Sequence, residues 1–178
     1  MLWRVIIFLT LSINLCFSQT KKEENPIYPV FNFDEFAPFQ PGKNVTSIPE
    51  KYGAGSDVII EKALSVKKYE LKHESYVFPI WVQYFNGVII DFFTRPPSYF
   101  LHDTFHQSLI NRYGKQNVYK LKDSNAVYIW ENESIKRVYS GGCTITCYPI
   151  YYAASSKLPG QIPTTYKPLT EHFYSKNY

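Results

Sequence analysis

Cysteine is scarce in this chain: there are three among 178 residues, and only Cys143 and Cys147 lie beyond residue 18. That leaves room for one internal bridge. Beyond Ser18 no apolar run is long enough to cross a ~30 Å hydrocarbon core, which excludes a spanning helix from the mature chain. Charge of one sign is lacking too. The formal net charge is +4, or +3 without Arg4, and the lysines are scattered, with pairs at Lys21-Lys22 and Lys67-Lys68. Nucleic-acid binding wants a concentrated basic face, so no nucleic acid is expected as a partner. Gly53-Ala54-Gly55-Ser56-Asp57 lacks the Lys-Ser/Thr of a phosphate loop, and no serine sits in a G-x-S-x-G elbow. The balance leans away from an enzyme.

What is present begins with a leader. Arg4 precedes the apolar run Val5–Ile13, which continues to Phe17, and Cys16 and Ser18 are small residues at −3 and −1 of a cut before Gln19. The reading is a signal peptide over residues 1–18 and a secreted or periplasmic mature protein of 160 residues, enough for one domain with a core. An uncleaved anchor and a lipid-modified Cys16 are the alternatives. Asn44-Val45-Thr46 and Asn132-Glu133-Ser134 are glycosylation sequons if the source uses them.

Residues 19–43 read as an extended arm, because Pro26, Pro29, Pro38 and Pro41 oppose regular helix. Tyr28, Phe31, Phe33, Phe36 and Phe39 make it a strap laid over the domain, since a solvated linker has no use for five aromatics. A domain over residues 44–154 follows. It opens with a short helix over 44–53, capped by Thr46 or Ser47 and ended by Gly53. Val58–Ile60, Val66–Leu71, Tyr76–Phe85 and Val88–Thr94 read as strands, the last two joined by an Asn86-Gly87 hairpin. Pro79 places its strand at an edge or a bulge. Ser98 caps a main helix over 99–113 with Leu101, Phe105 and Leu109 on one face. Asn117–Leu121, Ala126–Glu131, Ser134–Tyr139 and Cys143–Tyr152 supply further strands. The Pro-rich tail from Ser155 to Tyr178 reads as irregular.

Ile48–Gly53 echoes Leu109–Gly114, each ending Tyr-Gly before a run of strands. The expected fold is α+β. Antiparallel meanders carry both helices on one face, as one continuous series or as two helix-then-meander repeats.

Two constellations could carry function. His102 and His106 lie one helical turn apart and could share an ion, with Cys143 and Cys147 completing a zinc site. A straight strand would hold those cysteines ~13 Å apart, beyond the ~7 Å reach of a disulfide. A bend after Gly141-Gly142 would bring them together, and a disulfide, two buried thiols and a metal site all stay open. The second constellation is aromatic. Trp81, Tyr84, Tyr128 and Trp130 lie on strands and could form a sheet face that binds a protein, peptide or glycan. Core packing is the plainer reading of those rings. The sequence favours an exported, non-enzymatic binding module without a cofactor; a zinc-dependent structural or hydrolytic protein is the alternative.

Overall fold

The computed structural model describes residues 31–73, 76–97, 102–122, 124–143, 147–160 and 162–174. The leader, the arm as far as residue 30 (Tyr28 included) and the helix start at Ser98 to Leu101 lie outside them.

Strands β1 (Ser56–Val58), β2 (Ser65–His73), β3 (Tyr76–Phe85) and β4 (Val88–Thr94) form one meander. After helix α1 (His102–Tyr113), strands β5 (Val118–Lys122), β6 (Asn125–Glu131), β7 (Ile135–Cys143) and β8 (Cys147–Ser156) form a second. β4 pairs with β8, so one antiparallel sheet runs β1-β2-β3-β4-β8-β7-β6-β5. The fold is the expected α+β type, and its strand order is symmetrical about the β4–β8 pair.

Local chemistry accounts for the elements. Asn86 and Gly87 both have positive φ, 50° and 77°, as a two-residue hairpin twisted to match its strands requires. Pro79 does not mark an edge, because β3 lies between β2 and β4. The ring sits one residue past the Ile80–Thr94 pair, where β4 has ended, and the register slips elsewhere, between Gln83 and Tyr84.

Residues 44–53 form two 3-10 turns, Val45–Ser47 and Glu50–Tyr52, rather than one helix. Pro49 has no N–H with which to continue the first turn. The cap is Asn44, not Thr46 or Ser47: its Oδ1 accepts from the Thr46 amide at 2.9 Å. Gly53 and Gly114 both end their turns at positive φ, 74° and 77°, which glycine adopts without strain.

The arm is not extended throughout. Phe33–Phe39 winds into a 3-10 helix capped by Asn32, with Pro38 inside it. The carbonyl of Glu35, which Pro38 has no N–H to reach, accepts instead from the Tyr52 hydroxyl at 3.3 Å.

The sheet is buried on both faces. On the first, Phe31, Phe33, Phe36 and Phe39 join Phe105 and Leu109 of α1 over Leu71, Ile80, Phe92 and Tyr152. The 3-10 turns and α1 therefore share one face, through Tyr52 and Tyr113 among others. On the second, Val66, Phe93 and Ala153 are covered by Leu169 of α2 (Leu169–Tyr174). β8 continues to Ser156, and the chain beyond it returns across this second face.

Candidate functional site

The two constellations read from the sequence meet in part. α1 lays His102 and His106 over β6 and β7. His102 is buried, with Nδ1 2.8 Å from the Tyr139 hydroxyl and Nε2 3.3 Å from the Tyr128 hydroxyl. The His106 ring lies 4.0 Å from that of Tyr128 and 6.1 Å from that of Trp130. This close approach requires Gly141, since a Cβ there would stand 2.6 Å from His102 Nδ1. A glycine doublet inside a strand is a sequence sign of such an approach.

Burial lowers the pKa of His102, against the pull of Asp103. Burial and then the neighbouring His102 lower that of His106, with Gln116 and Asp103 opposing. Both rings are therefore neutral near neutral pH. The cluster acts as a hydrogen-bonded, aromatic support for α1.

The zinc site is not assembled. Cys143 ends β7, Cys147 opens β8, and the two are register partners joined by a disulfide with Cα atoms 4.1 Å apart. The straight-strand expectation fails because Gly141-Gly142 lie within β7 and the chain reverses after Cys143. With the sulfurs joined and both His102 nitrogens at tyrosine hydroxyls, three of the four expected donors are spent, and His106 Nε2, without a hydrogen-bond partner among the described residues, is left alone. Among the described residues no three His, Cys, Asp or Glu side chains gather as a metal would need.

The four aromatics do not share a face. Tyr128 and Trp130 are buried beneath α1, and Trp130 Nε1 donates to the Gly114 carbonyl at 2.7 Å. Trp81 lies on the opposite face with Phe93 and Phe173. Tyr84 borders a shallow depression beside Ile59, Ile60 and Phe85, near the other edge of the sheet. Trp81 and Trp130 are thus not equivalent: β3 and β6 turn these positions to opposite sides.

Sequence reasoning overlooked two further places. The first is Tyr119 on β5, whose ring lies 5.1 Å from Tyr128 and extends the aromatic cluster to the edge of the sheet. β5 has one neighbour among the described strands, β6. Its exposed apolar side chains are Val118 at 37 %, Tyr119 at 52 % and Leu121 at 63 %. The opposite edge differs: β1 has three residues and carries exposed Asp57, ion-paired with Lys67. Short, charged edges resist pairing and longer apolar ones invite it.

The second place is Asp91, the lone acid in the apolar strand Val88–Thr94. It is fully buried, and its Oδ2 accepts from the Tyr166 hydroxyl and the Leu169 amide, each at 2.8 Å. No family model, curated protein or solved structure gives a significant match to the chain.

Proposed function

We propose that the protein is an exported binding module that takes an extended peptide segment of a partner protein along β5. The observation that carries this is the edge itself: a five-residue strand that exposes Val118, Tyr119 and Leu121 beside its two lysines, has no neighbour but β6 among the described strands, and adjoins the Tyr119–Tyr128 pair. Strand addition supplies main-chain hydrogen bonds, and alternate side chains set the specificity. Tyr119 and Leu121 pair with Tyr128 and Ala126 and so share the face beneath α1, whereas Lys120 points to the other. The fitting partner therefore alternates apolar side chains, against Tyr119 and Leu121, with acidic ones, against Lys120.

Export rests on the leader over residues 1–18, and a Cys143–Cys147 disulfide suits an oxidising compartment. An amino terminus at Gln19 in protein recovered outside the cytoplasm is the expected result.

Binding is tested with a synthetic peptide of about ten alternating apolar and acidic residues, against a scramble of equal composition. The alternating peptide binds and the scramble does not. A Tyr119→Ala/Leu121→Lys variant loses affinity by about tenfold or more. Equal binding of both peptides, or unchanged affinity in the variant, contradicts the reading.

A further inference from the structure

The second face of the sheet is covered by the chain's own C-terminal segment, residues 162–174. Three hydrogen bonds pin it. Tyr166 and Leu169 donate to Asp91 Oδ2, and Gln83 Nε2 donates to the Lys167 carbonyl at 3.1 Å. Rings complete the docking. Phe173 stacks on Phe93 at 4.6 Å and leans on Trp81 at 5.0 Å, while Tyr174 lies 4.7 Å from Tyr151. The Arg95 guanidinium lies over Phe93, Phe173 and Tyr174.

One carboxyl oxygen takes two of these three hydrogen bonds. Asp91 Oδ1 has no hydrogen-bond partner among the described residues, and neither has Oε1 of Gln83, its cross-strand partner. Both are acceptors, and a proton on Oδ1 supplies the donor that the two lack. Asp91 takes part in none of the ion pairs among the described residues. The charged groups facing it, Lys136 and Glu171, stand across a cavity of about 140 Å³ that Ser155 and Thr170 also line. Among the described residues Tyr166 is the titratable side chain bonded to it, and burial raises its pKa further above the ordinary tyrosine value.

We propose that residues 162–174 are a proton-gated cover, docked while Asp91 carries a proton and released as it ionises, uncovering the aromatic surface of Trp81, Phe93 and Tyr151. On release the Oδ1 proton passes to solvent, and the carboxylate gains water in place of Tyr166 and Leu169.

The sign follows from burial. Desolvation raises the Asp91 pKa from 3.8 to about 7, against the opposing hydrogen bonds of Leu169 and Tyr166. The docked state therefore holds the proton more tightly than the open one, and opening is coupled to its loss. With those two values the opening equilibrium rises about fifty-fold between pH 5 and pH 7.

The test is hydrogen exchange of the backbone over residues 166–174 in the full mature chain, corrected for intrinsic rates. Protection falls about fifty-fold from pH 5 to pH 7 in the wild type and is pH-independent in Asp91→Asn, which keeps the side chain neutral. A flat wild-type profile, or a slope retained in Asp91→Asn, overturns the proposal. So does protection of residues 166–174 as high as that of β3 at every pH, which would place the titration in global unfolding. If Asp91→Asn does not fold, Tyr166→Phe decides: it exchanges faster at every pH with the slope kept. A Phe variant docked as tightly as the wild type overturns the proposal.

Discussion

Gly141 leaves no space for a side chain beneath His102, because the nearest atoms, Nδ1 and Cε1, would stand 2.6 and 3.0 Å from an added Cβ. Gly141→Ala forces α1 and β7 apart and costs about 2 kcal/mol, read from urea unfolding. Removing the Tyr139 hydroxyl leaves His102 Nδ1 without its partner; Tyr139→Phe costs about 1 kcal/mol in the same measurement. Protons act on this scale with opposite signs. His102 and His106 have lowered pKa values, so below about pH 6.5 the folded chain binds fewer protons than the unfolded one and loses stability as pH falls. Asp91 has a raised pKa, so its contribution is lost instead as pH rises from about 4 to about 7. Asp91→Asn therefore unmasks the histidines: its urea midpoint drops between pH 7 and pH 5, and adding His106→Gln reduces that drop. A midpoint in Asp91→Asn that rises toward pH 5 contradicts the assignment. The sequence marked His102 and His106 as neighbours, but helical spacing says nothing of what lies beneath them. Asp91 stood out only as one acid in Val88–Thr94, a sign of a buried polar partner that no local pattern identifies.

Among the elements, those whose signals are local were legible and those decided by distant packing were not. Asn86-Gly87 fixed its hairpin and Gly114 ended α1 because each acts through its own backbone angles. The Phe33–Phe39 turn was hidden by Pro38: its formation depends on three rings buried against the core and on Tyr52 meeting the Glu35 carbonyl. Phe36, fully buried among Phe31, Phe33, Phe92 and Tyr152, tests the strap; Phe36→Ala costs about 4 kcal/mol of unfolding free energy. The β7–β8 hairpin was misplaced because Gly141-Gly142 resembled a turn while lying inside β7, where Gly141 is the floor for His102. Its disulfide closes a short loop, so a Cys143→Ser/Cys147→Ser variant loses about 2 kcal/mol. The intact mass of the unreduced protein shows the two thiol hydrogens missing.

The whole molecule is a sheet covered on both faces from its two chain ends and by α1, which makes an edge the place for a partner. Rings are spent on these covers and on the strands beneath them: Phe residues of the arm pack on one side, Phe173 and Tyr174 on the other. Pairing across the sheet, not composition, determines which rings remain outside, and for that reason Tyr119 was not distinguished in the sequence from Tyr128. The most direct measurement is amide exchange along β5 with the alternating peptide bound. The amides of β5 that face away from β6 gain protection while those already bonded to β6 do not change. Protection that appears instead around Trp81 and Phe93, with β5 unchanged, would contradict strand addition and move the binding surface to the second face.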